Sequence, residues 1–443
     1  MTDDRLLGEI LRSPLDDMAP RRRKRGVIVG ASFLLVLVGV GALLLLRPGD
    51  EAAETTAETT TAAAVVVDDS VVATAPGDTA AVAATTSTTL TTVVPAQVFP
   101  EPGVFHEMVA LGDGKVLMFG GFIPLDDDTG PLEGTWVFDA TVGEWSVSDS
   151  DPAPSPRFGH AFALHPPTAR VVLFGGGTTQ PRSCPMTRLC TGPEDNQVWH
   201  YDPGTDTWEN MTPPVPDQGS WPTIRFGTRF AYEPVTERLI MFSGVGVLGE
   251  DLNPTFYEDT WAYDPVTNEW EDLTLSDDDA PRPLGRAGYG MVWSEEARRV
   301  MLFGGDSLSG LDDDHLWAFD PETATWEDRG VAEMGPYERW HHLLTVDPDS
   351  DRLVLIGGSG SVLTPIANGT SRSIEVLDEV WMWSEAEGWL ARSRMEIPMS
   401  PVSGAAEPRT LAVIAYDGHD VMSYDTAADR WTSVAEREEP DDQ

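Results

Sequence analysis

The sequence predicts an all-β fold made from one repeated unit, a propeller or an array of short strands. Three observations predict it. A hydrophobic strand ending in small residues recurs as "VLMFGG" (116–121), "VVLFGG" (171–176), "LIMFSG" (239–244), "VMLFGG" (300–305) and "LVLIGG" (353–358). An aromatic strand follows each, as "TWVFD" (135–139), "VWHYD" (198–202), "TWAYD" (260–264), "LWAFD" (316–320) and "VWMWS" (380–384). A further tryptophan closes each unit: Trp145, Trp208, Trp270, Trp326 and Trp389, spaced by 63, 62, 56 and 63 residues. Four short strands repeating every ~60 residues is the period of a propeller or array.

The elements that precede the repeat are of another kind. Residues 1–25 end in the basic cluster "RRRKR" (21–25). The uncharged apolar run 26–46 is about 30 Å long as a helix, enough to cross a hydrocarbon core. Basic residues before it and acidic residues after it predict a single-pass anchor with its N-terminus in the cytoplasm and the bulk of the chain outside. A cleaved signal peptide has a shorter apolar region and a small-x-small site, and "RPGDEAAE" offers no clear one. Residues 47–98 are mostly Ala, Thr, Val and acidic residues, with Pro at 48, 76 and 95 and no aromatic ring. Such a segment cannot bury enough surface to fold and reads as a disordered stalk. All fifteen tryptophans lie beyond it, so the folded domain spans 99–435, with a short disordered tail at 436–443.

Charge and cysteine content narrow the functional classes. The chain carries 73 acidic and 29 basic residues, a formal charge of −44. A reader of nucleic acid or of an anionic membrane surface needs the opposite sign, so no nucleic-acid partner is expected. Cys184 and Cys190, in "CPMTRLC", are not spaced as a zinc site or a C-x-x-C redox motif. In an oxidising compartment they are expected to form a small loop disulfide.

The unit opens on Arg-x-Gly-His or a close variant, as in "RFGH" (157–160). A worn sixth unit, "LAVIAYDGHDVMSYDTAADRW" (411–431), keeps the Tyr-Asp and final Trp but loses the glycine pair. Its first strand comes from residues 401–406 or from the N-terminal segment. The combined pattern resembles the kelch repeat over about 99–435. That resemblance implies a six-bladed kelch-type β-propeller with four antiparallel strands, A to D, in each blade. The glycine pairs and tryptophans then read as structural rather than as ligand-stacking groups.

Antiparallel order sorts the loops. Those leading into strand A and those from B to C share one face, and the short A-to-B and C-to-D turns share the other. The B-to-C loops are long and dissimilar, and function usually sits in such loops. Arg157, Arg225, Arg286 and Arg339 enter on the same face. In kelch proteins that recognise acidic partners such arginines point into the central basin, so the resemblance implies a candidate ligand site here. The competing reading pairs each arginine with an acidic residue of a neighbouring blade, so that it holds the ring together. His106, His160 and His342 stand at equivalent places and form a weak metal candidate, with Thr228 and Tyr289 in the other two units. The acidic triplets 126–128, 277–279 and 312–314 lack a calcium-loop spacing. No cofactor is expected.

These features favour a binding module for a protein or glycan over an enzyme. The resemblance also brings in enzymes that use kelch-like propellers: one type, similar to galactose oxidase, needs a cysteine cross-linked to tyrosine, and both cysteines here share one loop. A sialic acid mutarotase activity, with acid–base groups such as Glu338 beside Arg339, is the alternative, but no spacing marks a catalytic pair.

Overall fold

A computed structural model of the chain describes residues 98–436, apart from 102, 124–129, 179–195, 215–219, 249–252, 278–279, 308–313, 333, 367–368, 396–401, 411 and 417. The basic tail, the apolar run 26–46, the stalk up to its last residue, Cys184 and Cys190, and the C-terminal tail beyond 436 lie outside these residues. Among the described residues every regular element is a strand, and no helix is long and apolar enough to cross a membrane.

Among the described residues the strands form six four-stranded antiparallel sheets, each a meander in chain order, and three smaller sheets whose strands include insertions between B and C of sheets one, three and five. Sheet two is representative: Ala161–His165 (A), Arg170–Phe174 (B), Val198–Asp202 (C) and Thr207–Asn210 (D). Its register pairs Ala161 with Phe174, Val172 with His200 and Trp208 with Tyr201. Strand B is a continuous apolar run because neighbouring sheets cover both of its faces. Strand D buries only Trp208, and its other side chains are exposed and polar, which blunts the outer sheet edge.

The innermost strands are Glu107–Ala110, Ala161–His165, Arg229–Glu233, Gly290–Ser294, Leu343–Val346 and Ser403–Glu407. Each touches the next, and the last touches the first, so the sheets close into a β-propeller ring. The core is correspondingly divided. Six apolar clusters are each shared by two adjacent sheets, including one that joins sheet six to sheet one through Ile414, Tyr416, Met118 and Phe138. The strand D tryptophans bridge these joints. Trp208, Trp270, Trp326 and Trp389 lie 5.3, 4.8, 5.0 and 5.4 Å from Phe119, Phe174, Phe242 and Phe303 of the preceding sheet. Trp145 makes the same contact with Tyr416, at 5.4 Å. Such aromatic pairs contribute about 0.5–1.5 kcal/mol beyond burial.

The glycine pair has a backbone reason. Gly120 has φ 67°, and a Cβ there would lie 2.1 Å from the carbonyl oxygen of Arg157 in the next sheet. The following glycine donates to that same carbonyl, Gly121 N–H to Arg157 at 2.9 Å, and Gly176, Gly244 and Gly305 repeat the bond to Arg225, Arg286 and Arg339. Sheet six differs. Its inner strand is 403–407, close to the first of the two segments that the sequence allows. It joins sheet one through the Glu407 carboxylate, which accepts from Gly114 N–H at 3.0 Å, and through Arg409, which donates to the Asp113 carbonyl at 2.9 Å.

Candidate functional site

The two faces are built differently. On one, the A-to-B turns are closed by the last polar residue of strand A or the residue after it. Glu233 accepts from the amides of Val235 and Thr236, Asp347 from Ser350, and Glu407 from Thr410. On the other, the B-to-C connections carry structure of their own. Val245–Leu248 pairs with Asn253–Phe256. Ser359–Ile366 pairs with Gly369–Val376 and also with Arg339–Trp340, a three-stranded arm above sheet five. Ten large apolar side chains are exposed among the described residues, and five of them, Leu284, Val331, Met334, Tyr337 and Ile374, are on this second face around sheets four and five. Of the ten, only Val142 and Val266 are on the turns of the first. A groove of about 300 Å³ also opens on the second face, between Pro100 and Glu101, the loop residues Leu132 and Glu133, and Trp136 at the start of strand C.

The four signature arginines are on this second face, but inside it. Arg157, Arg225, Arg286 and Arg339 are 0–1 % exposed. Each donates Nε–H to the carbonyl two residues earlier and Nη1–H to the carbonyl eighteen residues later, at Gly175, Ser243, Gly304 and Gly357. Arg225 also holds Asp259 in a bidentate pair at 2.6 and 2.7 Å and lies 4.3 Å from the Tyr257 ring. Arg339 holds Glu379 at 2.6 Å. Burial pushes the Glu379 carboxyl up, but the bond and charge of Arg339 outweigh it and hold it below the usual range. These guanidiniums tie the end of strand B to the segment leading into strand A. The acidic partners Asp259 and Glu379 each precede strand C of the arginine's own sheet rather than lying in a neighbouring one, and the burial leaves the guanidiniums little surface.

The histidines are in separate joints. The His106 ring packs 4.8 Å from Tyr416, between sheets six and one. His160 packs 5.6 Å from Phe119, between one and two. His342 packs 5.9 Å from Phe303, between four and five. Tyr289 fills the matching place between three and four and donates its hydroxyl to the Phe242 carbonyl. Burial lowers His106 to about 4 and takes His160 and His342 well below the ordinary value, so all three are neutral at pH 7. Among the described residues no group of three His, Cys, Asp or Glu is arranged to hold a metal.

One pair escapes motif reading. Arg229 donates Nη1–H to Glu107 Oε1, joining the innermost strands of sheets three and one across the space in front of sheet two. Burial raises the Glu107 carboxyl to about 7, against the pull of Arg229. The sequence does carry a faint signal of it. The aligned positions Glu107, Ala161, Arg229, Gly290 and Leu343 start the inner strands, and only two of them are charged.

Comparison with known proteins agrees with this architecture. The family model described as the KLHDC2/KLHL20/DRC7 Kelch-repeats domain matches residues 73–283. An F-box/kelch-repeat protein of Arabidopsis thaliana is 25% identical over 248 residues, 53% of this chain and 43% of that protein. Both findings support a kelch-repeat assignment for the chain. It is also similar to the N-(sulfonatooxy)prop-2-enimidothioate sulfolyase of Thlaspi arvense, 25% identical over 66% of each chain. Adagio-like protein 3 of Oryza sativa subsp. japonica is 30% identical over 152 residues, 32% of this chain and 22% of the relative. The chain therefore spans less than two thirds of the length of these relatives.

Proposed function

We propose that this chain is a membrane-anchored, extracytoplasmic six-bladed propeller that binds a protein through the face made by the B-to-C connections and the segments leading into strand A. The observation that carries the reading is that Leu284, Val331, Met334, Tyr337 and Ile374 are each exposed on the face that also bears the three-stranded arm. Exposed apolar groups around a rigid scaffold mark an interaction surface. They favour a protein partner over a glycan, which would need more polar groups. The anchor rests on the basic cluster and apolar run of the sequence, and the pairing of Cys184 with Cys190 follows from the location outside the cytoplasm.

A photo-cross-linking residue at position 337, compared with one at 266 on the opposite face, tests the surface in cells that express the full chain. The expected result is one discrete adduct from position 337 and none from 266. Equal labelling from both positions, or none from 337, overturns the binding face. Protease added outside intact cells is expected to release the propeller, and its retention overturns the topology.

A further inference from the structure

The charged pair Glu107–Arg229 is unlike the signature arginine sites of the ring. Arg157, Arg225 and Arg339 each spread at least three donors over carbonyls and side chains. Arg229, on the innermost strand, commits its guanidinium to one oxygen of Glu107. An arginine has five N–H donors in a planar fork, so Nε and Nη2 here meet no acceptor among the described residues. The side chains are 24 % and 12 % exposed, so solvent reaches them within the ring.

Arg229 shares these surroundings with the buried signature arginines, for Arg157 also acts on His160, Arg339 on His342 and Arg225 on Tyr289. The titratable groups that feel Arg229 are Glu107, His160, His341, His342 and Tyr289. Burial keeps the three histidines neutral at pH 7, with His341 lowered to about 3, and pushes the Tyr289 hydroxyl up to about 12. His106, next to Glu107, is neutral as well. A cation in a partly dehydrated site with unused donors attracts a second acceptor more strongly than it does in water.

We propose that Arg229 is the base of a small-anion site inside the propeller ring, and that the Glu107 carboxylate is its built-in competitor. A small carboxylate or similar monoanion takes the open edge of the guanidinium, and it binds tighter when Glu107 carries no charge. The raised pKa of Glu107 makes that condition reachable near neutral pH.

The test is a formate titration of the full chain, with formate replacing gluconate at constant ionic strength and melting temperature as the readout. The wild-type protein is expected to be stabilised saturably, with at least tenfold weaker apparent affinity at pH 8.5 than at pH 6. Glu107→Gln is expected to bind formate at least tenfold tighter at pH 8.5 and to lose most of the pH dependence. Arg229→Gln is expected to show no saturable response. Because that variant risks misfolding, Glu107→Gln decides alone. A flat response in it, or an affinity no better than wild type, overturns the proposal, as does a folded Arg229→Gln that responds like wild type.

Discussion

The joint between sheets two and three and the seam between six and one have the same task but use different chemistry. The first has every signature group. Gly176 donates to the Arg225 carbonyl, Trp270 crosses to Phe174, and on the sheet-three side the Arg225 fork closes on Asp259. The seam has no signature arginine and no full glycine pair. It relies on apolar contact around Tyr416, on the buried His106, and on the Glu407 and Arg409 bonds to 113–114. The repeat signature therefore specifies joints rather than sheets. Where the signature is worn, the sheet still forms, and another polar device takes over the joint.

Acid should act on these joints most strongly. His106, at the seam, and His160 and His342, at two other joints, have folded pKa values below the unfolded value. For a histidine lowered in this way the stabilisation is full above pH ~6.5 and is lost as pH falls toward the folded pKa. Glu107 works in the opposite direction. Its raised value favours the folded state below pH ~4.5, and that contribution fades as pH rises to about 7. Three buried histidines, with His341 beside them, outweigh one carboxyl. Urea unfolding of the full chain is therefore expected to show a steep loss of stability from pH 6.5 to 4. His160→Gln should reduce that slope. An unchanged slope in the variant would mean that the acid sensitivity arises away from the histidine joints.

Removal of one signature group comes next in size. Arg225→Met removes this donor from the Ser243 and Thr223 carbonyls and leaves Asp259 with Trp261 Nε1–H. Breaking a buried pair in this way costs about 3–5 kcal/mol. Arg409→Met at the exposed edge of the seam gives up one bond to a carbonyl, about 0.5–1.5 kcal/mol. Denaturation midpoints of the two variants should differ accordingly, and equal losses would mean that the Arg225 fork contributes no more inside sheet three than Arg409 does at the seam.

Much of this architecture is legible in the amino-acid sequence. The strands, the glycine pairs and the closing tryptophans repeat, and a repeated residue states its role five times. The inner strand of sheet six is harder to find, because 403–407 ("SGAAE") has no signature to align. The arginines illustrate the limit of motif reading. Their positions are plain, but whether the guanidinium faces a ligand or the carbonyl eighteen residues on depends on how the strand B end curls back. Arg229 and Glu107 are hidden for the opposite reason. They are 122 residues apart, occur once each, and meet only because the ring closes.

The finest distinction among the joints is a single hydroxyl. Trp208 Nε1–H donates to Thr135 Oγ1 of sheet one at 2.9 Å, and Trp326 Nε1–H to Thr260 Oγ1 of sheet three at 3.0 Å. In both cases the acceptor is the first residue of the preceding strand C. In sheet two that position is Val198, and the buried Nε1–H of Trp270 meets no acceptor among the described residues. In sheet six it is Val421, and Trp145 has the same deficit. The two joints compared above thus share one weakness, and both should accept the same repair. Val198→Thr and Val421→Thr preserve side-chain shape and supply the missing oxygen. Each is expected to stabilise the full chain by about 0.5–1.5 kcal/mol, read from the urea midpoint. The gain should vanish when Trp270 or Trp145 is changed to Phe in the same background, because the added hydroxyl then has no indole to receive. A gain that survives the Trp→Phe change would place the effect elsewhere in strand C and not at the joint.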